Sequence, residues 1–135
     1  LSGIFWAMFD NGTSGTFLLK TTDNGSSWTY TSDNTSSGID IGSNGADGID
    51  SIALAVDTVE NELFVAANDD GKLVLKKFED NSSWVDLLDG DTISPVDGSA
   101  VDLAIDSSGN KVMVTYMTAG SAADNQTNVR IFYDE

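Results

Sequence analysis

Ser51–Asp57 reads SIALAVD, and Ala100–Asp106 reads AVDLAID. Both are short apolar runs closed by an aspartate. Each leads into a turn-like stretch, Thr58–Asn61 (TVEN) and Ser107–Asn110 (SSGN). Each then enters a second apolar run, Leu63–Asn68 (LFVAAN) and Val112–Thr118 (VMVTYMT). Third runs follow at Lys72–Asp80 (KLVLKKFED) and Asn128–Asp134 (NVRIFYD), and Trp84–Leu88 (WVDLL) completes the middle set. The N-terminal segment joins the pattern one run late. Ile4–Asp10 (IFWAMFD), Thr16–Asp23 (TFLLKTTD) and Trp28–Ser32 (WTYTS) correspond to the second, third and fourth runs. Internal similarity of this kind is weighed before local propensity, because it sets the architecture.

The runs have strand character. They are rich in Val, Ile, Leu, Phe, Tyr, Thr and Trp, residues that fit a pleated, half-buried surface. The breaks carry Asn11-Gly12, Asn24-Gly25, Asp70-Gly71 and Ser108-Gly109, which supply the positive φ that tight hairpins need. The single proline, Pro95, falls in a loop, where its missing N–H is harmless. Ser51–Asn61 could pass for a short amphipathic helix, but its repeat partner has Ser-Ser-Gly-Asn at the matching turn, which favours a hairpin. Asp57 and Asp106 lie 49 residues apart, and Trp28 and Trp84 lie 56 apart. A repeat of about fifty residues with four strands is the pattern of a propeller blade.

The expected fold is therefore all-β: a β-propeller-like array of about three four-stranded antiparallel blades, the first and last incomplete. Residues 1–33 supply strands B-C-D, 51–88 strands A to D, and 100–135 strands A-C. Such an open array leaves sheet faces uncovered, a liability in water. A longer parent protein or further copies of the chain would cover them, and two copies could form a six-bladed ring.

The composition of the 135 residues narrows the chemistry. About 40% are hydrophobic, so a core can form. There is neither His nor Cys. Within this chain that excludes a Ser-His-Asp triad, a cysteine nucleophile, His or Cys metal ligation and disulfides. The 22 acids against 6 basic residues give a net charge of −16, which argues against a nucleic-acid partner, since phosphate neutralisation needs a basic face. Uniform negative charge aids solubility but opposes compaction, so a saline medium or divalent cations would suit the chain. No run of 18 apolar residues is present, so no membrane-spanning helix is expected. A first residue of Leu1 rather than Met fits a removed leader or a piece of something longer.

Residues 21–28, Thr-Thr-Asp-Asn-Gly-Ser-Ser-Trp, resemble the Asp-box, the bacterial neuraminidase repeat S/T-x-D-x-G-x-S/T-W. Thr21, Asp23, Gly25, Ser27 and Trp28 match every defining position. A second copy at 78–84 keeps Asp80, Ser83 and Trp84 but has Phe78 for the hydroxyl residue and Ser82 for the glycine. The resemblance implies a turn joining the third and fourth strands of a propeller blade. It casts these residues as a structural staple: Asp23 accepts turn amides, Gly25 permits a left-handed backbone, and Trp28 folds over the turn and buries its ring. It also brings sialidases to mind, whose active members hold the substrate carboxylate with three arginines and use a Tyr/Glu nucleophile pair. Arg130 is the only arginine here, and nothing marks Tyr30, Tyr116 or Tyr133 as a nucleophile.

Other features are weighed alongside. Asp40, Asn44, Asp47 and Asp50 are candidate calcium ligands in a Gly-rich connection, although the spacing matches no EF-hand. The connection at 89–98 is its counterpart, and both are expected to be solvated loops. Sequons at Asn11, Asn24, Asn34, Asn81 and Asn125 are candidate glycosylation sites. Trp6 is expected in the core rather than as a sugar platform. Lys72, Lys76 and Lys77 are expected to be exposed strand charges that discourage edge pairing. The functional expectation is a non-catalytic, exported or cell-surface module that recognises a glycan or protein or builds an extracellular assembly. The alternative is part of a sialidase-like glycoside hydrolase whose active centre lies mostly elsewhere.

Overall fold

The structure, a computed structural model, describes residues 3–10, 16–30, 49–60, 62–79, 83–88, 90–106, 108, 111–119 and 125–133. The described residues are all-β. In chain order the strands are β1 (Phe5–Asp10), β2 (Thr16–Thr21), β3 (Thr29–Tyr30), β4 (Ile49–Asp57), β5 (Glu62–Asp69), β6 (Lys72–Glu79), β7 (Ser83–Asp86), β8 (Asp102–Ile105), β9 (Lys111–Ala119) and β10 (Asn125–Tyr133). They form three separate sheets, β1-β2-β3, β4-β5-β6-β7 and β8-β9-β10. Every neighbouring pair is antiparallel. The segment that could have been a helix, from Ser51, is strand up to Asp57.

Turn chemistry sets the hairpins. Asp70 and Gly71 have φ of 50° and 73° between the paired residues Asp69 and Lys72. Two consecutive left-handed residues match the twist of the flanking strands. The β4–β5 turn is closed by Asp57, whose Oδ1 accepts the Val59 N–H at 2.7 Å. Its repeat partner Asp106 accepts the Lys111 N–H at 3.1 Å and the Ser108 hydroxyl at 2.7 Å. The aspartates that end the two defining runs thus both accept hydrogen bonds from their turns, though from different donors.

The middle sheet is covered on both faces. Side chains alternate along a strand, so Phe64 and Ala66 of β5, with Leu73 and Leu75 of β6, meet Val101, Leu103, Val112 and Val114 around the third sheet. Leu63, Val65 and Ala67, with Val74 and Phe78, meet Leu18 of the first sheet, against which Trp6 and Met8 also pack. Two covered faces explain why β5 is an unbroken apolar run rather than an alternating one. Each large side chain fully buried in these layers contributes about 1.5–3 kcal/mol.

Two expectations are corrected here. Of Lys72, Lys76 and Lys77, only Lys72 is exposed, and Lys77 is buried. Lys77 shares with Leu75 and Leu73 the face covered by the third sheet. Its stem lies in the layer while its ammonium reaches Glu62 at 3.4 Å. The connection at 89–98 is only in part a solvated loop: most of its described residues are exposed, but Ile93 and Pro95 are buried in it. Its backbone is tied to both sheets, with the Leu73 N–H donating to the Ile93 carbonyl at 2.9 Å and the Val96 N–H to the Met117 carbonyl at 2.7 Å.

Candidate functional site

The turn after β2 is the most elaborated polar feature of the first sheet. The side chain of Asp23 gathers it. Oδ1 accepts the Ser27 N–H at 2.9 Å and the Thr21 hydroxyl at 2.7 Å, while Oδ2 accepts the Ser27 hydroxyl at 2.6 Å. The Thr21 Oγ1 in turn accepts the Gly25 N–H at 3.0 Å. Asn24 and Gly25 have φ of 60° and 88°; the glycine meets this at little cost, and Asn is among the residues that tolerate it. Thr21, Asp23, Gly25 and Ser27 are therefore brought into one hydrogen-bonded unit.

Those hydrogen bonds stabilise the ionised carboxylate. The Ser27 hydroxyl, then the Ser27 amide, then the Thr21 hydroxyl lower the Asp23 pKa to about 2. A carboxyl whose folded pKa lies below its unfolded value adds stability above the unfolded pKa and loses it as pH falls through the folded one. Asp23→Asn is therefore expected to lower the melting temperature at pH 7. The gap from wild type should narrow between about pH 4 and pH 2, and melting curves at stepped pH check it.

Trp28 departs from the expectation of burial. Its indole nitrogen lies 4.0 Å from where a Cβ on Gly25 would stand, so the ring is next to the turn. Yet the residue is 44% exposed. Its repeat partner Trp84 is half-buried against the core and packs on Phe78 at 4.9 Å between ring centroids. Trp6 meets the same Phe78 edge-on at 6.0 Å, the core position expected for it. The difference arises because the face carrying Trp84 is covered by the first sheet, whereas Trp28 has no such cover among the described residues. Trp28→Ala is expected to cost under about 1 kcal/mol and Trp84→Ala about 2–4 kcal/mol, as read by denaturant unfolding. Asp80 lies outside the described residues, and Ser83 begins β7.

Of the candidate calcium ligands, Asp40, Asn44 and Asp47 lie outside the described residues. Asp50 ties β4 to the connection before β8, its Oδ2 accepting the Gly98 N–H at 3.1 Å. Among the described residues no three acidic side chains are arranged to hold a metal ion. Asp50 instead acts on Asp97. A shared hydrogen bond with Asp50, then its charge, burial and the charge of Asp70 raise the Asp97 pKa. An acid raised in the folded state destabilises it above the folded pKa, and the penalty fades as pH falls. Asp97→Asn is thus expected to raise the melting temperature at neutral pH, with the gain shrinking in acid and in high salt.

Among the sequons, Asn24 accepts the Gly3 N–H at 3.0 Å through its Oδ1, and Asn125 begins β10. Asn11, Asn34 and Asn81 lie outside the described residues. The one arginine, Arg130, is paired with Asp91 and stacks over Phe132 at 5.1 Å. Tyr116 packs against the core.

Sequence reasoning missed Asn68. Its side chain is fully buried. The amide donates to the carbonyls of Val96 and Ser99, both at 2.9 Å, and its oxygen accepts the Gly71 N–H at 3.1 Å. The one available signal was a polar residue ending an otherwise apolar run. Also missed was which apolar side chains would remain in water: Met113, Val129 and Ile131 on the third sheet and Phe5 on the first. Among the described residues no helix is long and apolar enough to cross a membrane. No known family model matches the sequence, and no curated protein shows significant similarity to it.

Proposed function

We propose that the chain is a non-catalytic, exported or cell-surface module, built as a β-propeller-like stack of blades, that recognises a glycan or protein or serves as a unit of an extracellular assembly. The observation that carries this reading is the sense in which the sheets stack. Trp84 pairs with Phe78, and Phe78 with Leu63. If Trp28 is aligned with Trp84, then Thr21 takes the place of Phe78 and Phe5 that of Leu63, because Phe5 pairs with Thr21. Trp6 and Met8 then occupy the places of Phe64 and Ala66.

Trp6 and Met8 face the middle sheet, as Phe64 and Ala66 face the third. In the third sheet, Leu103 and Val112 take the places of Leu54 and Leu63, and they face the middle sheet as those face the first. The same front therefore meets the same back twice. Front-to-back stacking is what a blade array requires. The Asp23 turn, at the third-to-fourth strand corner, agrees with the Asp-box resemblance.

The site chemistry supports the non-catalytic reading. Asp23 is engaged by its own turn, and Arg130 is paired with Asp91. We read the turn as a staple rather than a reaction centre. The test combines two assays on the same preparation. Fluorogenic sialosides and other glycosides are expected to show no turnover above buffer, while a glycan and matrix-protein panel is expected to show saturable binding. Hydrolysis that follows the protein through purification would overturn the reading in favour of a sialidase-like hydrolase.

A further inference from the structure

We infer that the outer face of the third sheet docks, head to tail, on the outer face of the first sheet of a second copy of this chain. The inference rests on the propeller-like reading above and names the partner. Met113, Val129 and Ile131 are 41%, 61% and 50% exposed. Met113 and Ile131, with Ala104, line a shallow pocket of about 230 Å³ on this face. Ala104 lies opposite Met113, and Met113 opposite Ile131. In the middle sheet the same places are held by Ala55, Phe64 and Lys77, paired in the same way. That surface is the one the third sheet covers.

The first sheet presents the complementary surface. Phe5 is 52% exposed and, with Trp28, flanks Thr21. Its middle-sheet counterparts, Leu63, Phe78 and Trp84, form the surface that the first sheet covers. One open face is thus of the kind that receives a following sheet, and the other is of the kind that is received. Both interfaces inside the chain join these two kinds, so the proposed contact continues an interface the molecule already makes twice. Because the joined surfaces differ, the contact is heterologous: it closes into a ring or grows as an open stack. The net charge of −16 opposes any approach of two copies. The third-sheet face itself is mainly apolar, so association should strengthen as salt screens the long-range repulsion.

Sedimentation equilibrium on the full chain tests this, from micromolar to about millimolar concentration at low and high salt. The weight-average mass is expected to rise at least twofold, more so in high salt. Ile131→Asp and Phe5→Asp change exposed side chains, and unaltered melting curves will show that both variants fold. Each variant alone is expected to be monomeric, and an equimolar mixture is expected to form a dimer, since one intact interface survives between them. A wild-type chain that stays monomeric throughout overturns the inference. So does a Phe5→Asp variant that still self-associates, which would indicate a two-fold pairing of third-sheet faces. A monomer that binds glycan without hydrolysis would remove this inference and leave the functional proposal standing.

Discussion

Replacing Phe78 by alanine is expected to lower the melting temperature by roughly 10–20 °C. Phe78 is 2% exposed and lies where two layers meet. Trp84 of its own sheet packs on one side of the ring, and Trp6 of the first sheet meets it edge-on. Truncation removes the transfer energy of a phenyl ring and leaves a hole lined by two indoles too large to collapse into it. Phe→Ala changes at such sites cost about 3–5 kcal/mol. The loss should also be directional. Tryptophan fluorescence of the native state is expected to shift to the red, because Trp6 and Trp84 gain access to water, while the amides of the third sheet keep their exchange protection. Phe78→Leu refills most of the volume and is expected to lose less than half as much. A Phe78→Ala protein melting within a few degrees of wild type would show that the first and middle sheets are not packed as described.

Asn68→Asp is expected to cost about 3–5 kcal/mol at pH 7, although the two side chains are nearly the same size. The Asn68 amide donates to two backbone carbonyls, while its oxygen accepts the Gly71 N–H at the β5–β6 hairpin. An aspartate keeps the acceptor but has no hydrogens to offer when ionised. It would place a buried charge beside two carbonyl oxygens, so its pKa must rise. An acid raised on folding destabilises fully above its folded pKa and recovers as pH falls below it. The deficit should therefore shrink on going from pH 7 toward pH 4, whereas that of Asn68→Ala should not. Loss of the tie should also free the 90–101 connection. The Leu73 and Val96 amides, which donate to Ile93 and Met117, are expected to exchange faster in the variant. A deficit independent of pH would mean that the carboxylate has turned out to solvent and that Asn68 is no tie.

Asn68 also marks where sequence reading stops. The residue ends an apolar run and precedes Asp-Asp-Gly, so locally it reads as a turn former. Its donors are spent on a segment about thirty residues away, and nothing local encodes that. Lys77 is similar. A lysine on a strand is ordinarily a surface charge, and only the third sheet lying over Leu73 and Leu75 carries it inside to meet Glu62. Trp28 and Trp84 make the point in reverse, since equivalent repeat positions differ because one face is covered and the other open. By contrast, the Asp23 turn was legible as a unit in which the aspartate accepts turn amides, because its donors and acceptors all lie within seven consecutive residues.

What the sequence determined by itself was whatever acts over short range or by repetition: the strands, the left-handed residues at Asn24-Gly25 and Asp70-Gly71, the aspartates that seal the β4–β5 and β8–β9 turns, and the grouping of the strands into three sheets. What only the tertiary structure decided was which faces meet. Burial is a property of pairs of surfaces, and alternation along a strand says that two faces differ without saying what covers either. That is why Lys77 and Asn68 went inside, why Trp28 and Ile131 stayed in water, and why Ile93 and Pro95 are buried within a largely exposed connection.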